Sequence, residues 1–243
     1  MRTLTFANRN VKEILRDPLN LFFGLGFPVV LILLLSAIQA NLPVELFEIE
    51  HLTPGITVFG LSFMTLFSAT LISKDRSSSL LQRLYTTPLT PTDFILGYAL
   101  PIIPIGVAQS IICYLVALVL GLKFTLNILL SVVFIIPVCL LYIALGLLCG
   151  SVFNDKQVGG ICGALLTNLS AWLSGIWFDL ELVGGAFEKI SYALPFVHCV
   201  DMQRAVLSGD FAEIFPHLWW VLGYSVILFT AAVLLFLRQM KNQ

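Results

Sequence analysis

Six long apolar runs, none of which contains Asp, Glu, Lys or Arg, divide this chain of 243 residues. A helix needs about 20 predominantly apolar residues to cross a hydrocarbon core of about 30 Å, and each run is close to that length or longer. The runs therefore predict an all-α integral membrane protein with six transmembrane helices in a single domain, residues 1–243. The predicted spans are about 19–39, 55–73, 96–120, 126–150, 158–176 and 216–237.

The distribution of basic residues predicts the orientation of the spans. With the N-terminus placed in the cytoplasm, ten of the 13 Lys and Arg residues lie in cytoplasmic segments. The outer segments hold the other three, Lys123, Lys189 and Arg204. Cytoplasmic loops of membrane proteins carry such an excess of Lys and Arg. We therefore expect a multi-pass protein of the cell (plasma) membrane with both termini cytoplasmic.

The charged residues and the cysteines argue against two kinds of ligand, nucleic acid and metal ions. Charged residues make up 11% of the chain, against about a quarter of a soluble domain. The formal net charge of −1 leaves no basic stripe that could neutralise phosphates, which argues against nucleic acid as a partner. Four of the five cysteines lie in apolar runs, where they would pack as small hydrophobes. Cys199 lies outside the runs, and the spacing of the cysteines does not suit a metal site.

Signatures of catalysis and of nucleotide binding do not occur in the sequence. HExxH, GxSxG and the phosphate-binding GxxxxGK[ST] are all absent. His51, His198 and His217 lie far apart in the sequence, and we expect them to be interfacial polar groups rather than catalytic or metal-binding residues. Ion-driven carriers usually keep ionisable groups at bilayer depth. Because the six runs hold no Asp, Glu, Lys or Arg, the energy for any transport would have to come from elsewhere.

The N-terminal segment, residues 2–16, has the pattern of an amphipathic helix. Apolar side chains share one face, and basic side chains share the other; the basic residues are Arg2, Arg9, Lys12 and Arg16. Such a helix is typical of segments that lie on an anionic leaflet. We therefore expect an interfacial helix before the first span.

The longest polar segment on the predicted cytoplasmic side, residues 74–93, contains two signals for a helix start. Ser79 and Gln82 have the spacing of a capping box, and Pro88 should end the short helix that follows. Thr90 then caps a second helix, with proline in its first position. The first helix is either a loop helix at the membrane interface or a docking surface for a soluble partner. Its apolar stripe consists of Leu80, Leu81 and Leu84.

Two other connections carry structural signals. Residues 177–215, on the outer side, show helical patterning at 181–193 and 199–208, which predicts two short helices that dip into the outer leaflet. Residues 151–157 form a tight inner loop, with pairs of glycines four residues apart on each side of it. Glycines at this spacing allow close helix packing; the pairs are Gly146 with Gly150 and Gly159 with Gly163.

Several neutral polar side chains lie within the apolar runs. They either hydrogen-bond between helices or give a mildly polar lining to a translocation path, and the sequence leaves both possibilities open. These residues are Thr65, Ser68, Gln109, Ser110, Asn168, Ser170 and Ser174.

Short motifs follow one another in a fixed order along the chain. They are Asp75-Arg76, Arg83-Leu84, Thr87-Pro88-Leu89, Leu173-Ser174-Gly175, Leu194-Pro195 and Arg204. In this order, and in its arrangement of helices, nearly the whole chain resembles the type-2 ATP-binding-cassette (ABC) transporter permeases, and especially their drug-export branch.

The resemblance implies a transport subunit without catalytic residues, cofactor or metal of its own. ATP and Mg would be bound by a separate cytosolic ATPase, and a second permease copy or a close homologue would complete the pore. The short helix between spans 2 and 3 would be the coupling helix. The residues implied in coupling are Asp75, Arg76, Leu80, Leu81, Arg83, Leu84 and Tyr85, and the path for substrate would include Thr65, Ser68, Gln109, Asn168 and Ser174.

The cargo implied by the resemblance is amphipathic: a drug, an antimicrobial peptide or a lipid-like metabolite. Export of lipid-linked polysaccharide is an alternative within the same family. A lipid-modifying membrane enzyme and an ion-coupled carrier are alternatives of a different class. The absence of paired carboxylates or a histidine cluster in the spans argues against the enzyme, and the absence of charge there argues against the carrier.

Overall fold

The computed structural model describes residues 2–41, 47–78, 80–86 and 89–241, and the secondary structure in these ranges is helical. The α-helices are α1 (Arg2–Leu15), α2 (Pro18–Leu21), α3 (Phe27–Gln39), α4 (Ile49–Ser77), α5 (Leu80–Tyr85), α6 (Pro91–Ala99), α7 (Ile102–Val119), α8 (Leu126–Val152), α9 (Asp155–Val158), α10 (Thr167–Trp172), α11 (Leu180–Val183), α12 (Gly185–Ala193), α13 (Pro195–Ser208) and α14 (Phe211–Lys241). Two π-helical segments, Phe22–Gly26 and Gly159–Leu166, connect α2 to α3 and α9 to α10.

Five helical stretches in the described part of the chain are long and apolar enough to cross a membrane. They are Pro18–Gln39, Ile49–Ser77, Thr92–Val119, Leu126–Val152 and Phe211–Arg238. They coincide with five of the six predicted spans. The chain is therefore a multi-pass membrane protein.

The predicted fifth span, 158–176, does not appear as one long apolar helix. Its first part is the π-helical segment Gly159–Leu166, and α10 ends at Trp172. Gly175 then adopts a positive φ of 68°, a conformation that glycine adopts easily and that stops a helix. The helical part is shorter than the apolar run, and a sixth span stays a prediction.

The core is built around α4, which is buried along nearly its whole length. It packs mainly against α8, with α7, α13 and α3 on its other sides. A Cβ atom added to Gly146 would lie 2.5 Å from the Thr65 carbonyl oxygen, and one added to Gly150 would lie 2.7 Å from the Ala69 carbonyl oxygen. The first predicted glycine pair therefore does allow close packing, because α8 approaches the backbone of α4 at these two positions.

The second predicted glycine pair does not have this role within the chain. A Cβ added to Gly159 would meet nothing within 4 Å, and one added to Gly163 would contact only the Leu66 side chain, at 3.3 Å. The expectation that both pairs bring helices together is wrong for Gly159, because this residue is exposed at the start of the π-helical segment.

The connections between the long helices gather at two ends, which we call the inner end and the outer end. At the inner end, α1 contacts the last turn of α4 at Asp75 and the last turn of α6 at Gly97. At the outer end, Asn127 Nδ2 donates to the Leu207 carbonyl (3.2 Å), and Arg204 Nη2 donates to the Gly175 carbonyl (3.1 Å). The 29 residues of α4 separate the two ends by about 43 Å at a rise of about 1.5 Å per residue. The placement of the inner end in the cytoplasm stays a prediction.

The predicted outer helices are present with changed boundaries. The first is divided into α11 and α12, because Gly184 and Gly185 both have φ of 63°. The second begins earlier than expected, at Pro195, since proline is well suited to the first position of a helix. It ends before Gly209, whose φ is 84°, as predicted. Helix α13 is buried against α14, α8 and α4, and Cys199 is buried within it.

Candidate functional site

Three side chains join α1, α4 and α6 at the inner end. Asp75 is 1% exposed and accepts two hydrogen bonds from Arg9: Nη1 to Oδ2 and Nη2 to Oδ1, both 2.6 Å. The Tyr98 hydroxyl donates to Asp75 Oδ2 at 2.8 Å. Paired, charge-assisted bonds of this kind are among the strongest in proteins and also fix orientation. We call Arg9, Asp75 and Tyr98 the inner joint.

Helix α1 is fixed to α6 by further contacts beside the inner joint. Asn10 Nδ2 donates to the Gly97 carbonyl at 2.9 Å, and the Thr3 hydroxyl donates to Asp93. The ring of Phe6 packs edge-on against Phe94 and Tyr98, with centroids 5.7 and 5.0 Å apart. The glycine at position 97 makes this approach possible, because a Cβ there would lie 2.2 Å from the Phe6 ring.

Arg76 joins α4 to the end of α8. Its guanidinium donates to the carbonyl oxygens of Ser151, in the last turn of α8, and Phe153, the residue that caps this helix. A cation is stabilising there, because the carbonyls at a helix C-terminus carry partial negative charge. Lys74 Nζ lies 3.5 Å from Asp17 Oδ2, which adds a link to the start of α2. The acidic–Arg pair identified in the sequence is thus bonded within the chain.

The segment predicted as the coupling helix forms the short helix α5, Leu80–Tyr85, and its role in coupling stays a prediction. Its apolar stripe faces the protein itself: Leu81 is 2% exposed, and Leu84 packs against the core. Leu80 is half-buried, and Arg83 is exposed. The surface that α5 offers to a partner is therefore smaller and more polar than the leucine stripe suggests.

The described residues allow a test of one of the three helix signals predicted around α5, the cap at Thr90. Ser79, Thr87 and Pro88 and the side chains of Gln82 and Tyr85 lie outside the described residues. The predicted cap of α6 is confirmed: Asp93 N donates to the Thr90 hydroxyl (3.3 Å), and Thr90 N donates to Asp93 Oδ2 (2.9 Å).

The residues predicted to line a substrate path do not form one surface. The Thr65 hydroxyl donates to the Tyr142 carbonyl (2.9 Å), and Gln109 Nε2 donates to the Thr57 carbonyl (3.3 Å). Both are bonds between helices, so these side chains stabilise the packing of the bundle.

The other three predicted path residues bond within their own segment. The Ser68 hydroxyl donates to the Met64 carbonyl and the Ser174 hydroxyl to the Ala171 carbonyl, and both serines are buried. Asn168 is exposed and donates to the Ala164 carbonyl at 2.8 Å. Of the five predicted path residues, Asn168 is the one that faces away from the chain. A path along these residues stays a prediction.

Sequence reasoning missed the partners that complete these contacts. The carboxylate at position 75 was identified, but its partners Arg9 and Tyr98 lie 66 and 23 residues away. It also missed that His198 and His217 meet, with their Nδ1 atoms 2.8 Å apart. Among the described residues, no group of three or more His, Cys, Asp or Glu side chains could hold a metal ion.

A comparison with protein families matches residues 44–234 to the family described as ABC-2 family transporter protein. A search of curated proteins finds no match. The family match covers α4 to most of α14, which includes Asp75, Arg76 and α5 but not α1. It confirms the resemblance to type-2 permeases, while the drug-export branch stays a prediction. Because the match extends over most of the chain, this protein belongs to the ABC-2 family of transporter membrane proteins.

Proposed function

We propose that this permease subunit exports an amphipathic compound, driven by a separate cytosolic ATPase that docks on α5. The observation that carries the proposal is the inner joint. Asp75 and Arg76, in the last turn of the helix that precedes α5, are bonded to three other helices. A displacement of α5 would therefore be transmitted to α1, α6 and α8 together rather than lost in a mobile loop.

The burial of α4 explains how a displacement of α5 would reach the other long helices. Helix α4 ends directly before α5 and is enclosed by α8, α7, α13 and α3. Closely packed helices move as rigid bodies, so a push on the inner end of α4 tilts its partners as well. The apolar runs contain no Asp, Glu, Lys or Arg, and this supports a mechanical rather than an ion-coupled source of work.

ATP and Mg would be bound by the partner ATPase, since this chain has no phosphate-binding loop. A second permease copy or a close homologue would form the other wall of the path. The exposed amide of Asn168 supports this arrangement, because a polar side chain at bilayer depth usually faces protein or water rather than lipid.

The docking surface can be tested with a pair of matched charge reversals. Arg83→Glu changes the exposed cation of α5, whereas Arg238→Glu changes an exposed cation of the last helix. Each variant would be co-expressed with a candidate partner ATPase that co-purifies with the unmodified protein, and the complex would be purified in mild detergent. We expect Arg83→Glu to lose the ATPase and Arg238→Glu to retain it. Equal retention of the ATPase by both variants would overturn docking on α5.

The cargo needs a separate measurement. The purified complex, reconstituted in liposomes, would be screened for compounds that stimulate ATP hydrolysis. Stimulation by cationic or neutral amphipathic drugs or peptides would support the proposal. Stimulation by lipid-linked sugars alone would favour polysaccharide export, the alternative within the same family.

A further inference from the structure

Two histidines join α13 to α14 at the outer end. His198 is buried in α13, at 6% exposure, and its Nδ1 lies 2.8 Å from Nδ1 of His217 in α14. His198 Nε2 lies 3.0 Å from the Tyr192 carbonyl oxygen. Both nitrogens of the buried ring are therefore within hydrogen-bond distance of a partner.

These contacts determine where the protons lie when both rings are neutral. A carbonyl oxygen can only accept, so His198 Nε2 carries a proton and donates to Tyr192. Neutral imidazole has one N–H, so His198 Nδ1 is an acceptor. The hydrogen between the rings must then be carried by His217 Nδ1.

An aromatic frame holds the two rings in place. The ring of Trp220 stacks on His198, with centroids 4.9 Å apart and planes 11° apart. Tyr224 stacks on Trp220, and its hydroxyl donates to the Ala193 carbonyl at 2.6 Å. The histidine pair thus lies within a larger contact that joins the junction of α12 and α13 to α14.

We propose that the His198–His217 pair is a proton-sensitive contact between α13 and α14. The contact keeps the two helices together while the pair carries no added proton or one added proton, and it releases them when the pair carries two. With one added proton, one ring is an imidazolium that donates to the other, and a charge-assisted bond is stronger than a neutral one. With two, both Nδ1 atoms carry hydrogen, no acceptor remains, and the two cations repel each other.

The surroundings of the pair decide where this release falls on the pH scale. Burial lowers the pKa of His198 below its ordinary 6.5, the Tyr192 carbonyl and the carboxylate of Asp201 raise it, and the charge of His217 lowers it. The carboxylate of Glu213, one turn before His217 on α14, interacts electrostatically with the His217 ring. Because burial is the largest effect on His198, the second proton binds only in acid, below pH 6.5. This contact lies at the end opposite to α5.

The proton positions can be tested by nitrogen NMR on protein labelled with ¹⁵N-histidine. The chain has three histidines, so His51→Gln leaves only the signals of the pair. At pH 8, we expect one Nε2–H ring and one Nδ1–H ring, coupled across the shared hydrogen bond. Two Nε2–H rings without coupling would overturn the proposal.

The release itself can be tested by hydrogen exchange of the peptide covering residues 192–200, corrected for the intrinsic pH dependence. Between pH 7.5 and pH 4.5, we expect about a tenfold loss of protection in the full-length protein, near the upper end of what one hydrogen bond contributes. His217→Phe keeps an aromatic ring at position 217 but leaves His198 as the only titrating ring of the pair, so the loss of protection in acid should be smaller than in the unmodified protein. His51→Gln should behave like the unmodified protein. An unchanged protection in the unmodified protein, or an equal loss in His217→Phe, would overturn the proposal.

Discussion

The two ends of the molecule are held together by different chemistry. The inner joint is an ion pair with two parallel bonds, supported by a tyrosine hydroxyl and by the bonds of Arg76. At the outer end, the His198–His217 pair consists of two imidazole rings in an aromatic frame. A guanidinium stays charged at any physiological pH, whereas histidine changes charge within that range. Under the two proposals made above, the inner end transmits a displacement, and the outer end releases a contact.

Of the variants that test this comparison, Asp75→Ala is expected to lower the free energy of unfolding most. Removal of one partner of a buried ion pair costs about 3–5 kcal/mol. The Arg9 side chain is 37% exposed, so water compensates for part of the loss, and we expect about 2–3 kcal/mol. In detergent, this corresponds to a fall in Tm of about 4–12 °C.

Asp210→Ala, which removes an exposed carboxylate at the outer end, is the control for Asp75→Ala and should leave Tm nearly unchanged. The double variant Arg9→Ala with Asp75→Ala should lose less than the sum of the two single variants, because the two residues interact. Strict additivity would show that the inner joint contributes little.

A smaller effect is expected from Gly97→Ala, which should detach α1 from α6. The new Cβ would lie 2.2 Å from the Phe6 ring, which Phe94 and Tyr98 hold in place. Overpacking of this kind costs about 1–3 kcal/mol and should increase proteolysis or hydrogen exchange of residues 2–15. Gly223→Ala meets no atom within 4 Å and is the matched control. Equal exchange of α1 in both variants would contradict the close approach of Phe6.

Acid should weaken the outer end in a predictable direction. Because burial lowers the pKa of His198, the unfolded chain binds more protons than the folded protein as the pH falls below about 6.5, and stability decreases in that direction. Loss of one hydrogen bond, about 0.5–1.5 kcal/mol, predicts a fall in Tm of about 1–6 °C between pH 7.5 and pH 5. The fall should be smaller in His217→Phe, and a Tm that rises in acid would contradict the assignment.

The smallest effect is expected from Tyr224→Phe. This change keeps the ring stacked on Trp220 but removes the bond of 2.6 Å to the Ala193 carbonyl. The residue lies near the surface, so water can replace its hydroxyl, and we expect a loss of about 0.5–1 kcal/mol in thermal unfolding. A loss as large as that of Asp75→Ala would show that the outer end is the stronger of the two.

Local signals predicted much of this fold. Hydropathy located five of the long helices, the Thr90–Asp93 spacing located a helix start, and Gly146 with Gly150 located a close contact between α8 and α4. Each of these depends on neighbours within one or two turns. The apolar run at 158–176 was misleading, because hydropathy does not detect a π-helical segment or a glycine with positive φ.

The long-range contacts could not be predicted in the same way. Asp75 was identified as part of a motif, but its hydropathy does not show that Arg9, 66 residues away, folds back onto it. The leucine stripe of α5 was detected by its spacing, and spacing alone cannot distinguish a stripe that faces a partner from one that faces the chain's own core. His198 and His217 lie 19 residues apart, and a turn at Gly209 brings their helices together.

The most direct test of the central claim is the accessibility of position 83 to a membrane-impermeant maleimide. The five native cysteines are buried, so Arg83→Cys provides one reactive thiol on α5, and Lys123→Cys provides one at the outer end. We predict that Arg83→Cys reacts only in inside-out vesicles and is protected by the co-expressed ATPase, whereas Lys123→Cys reacts in intact cells. Labelling of Arg83→Cys from outside the cell, or labelling from inside that the ATPase does not reduce, would contradict the account.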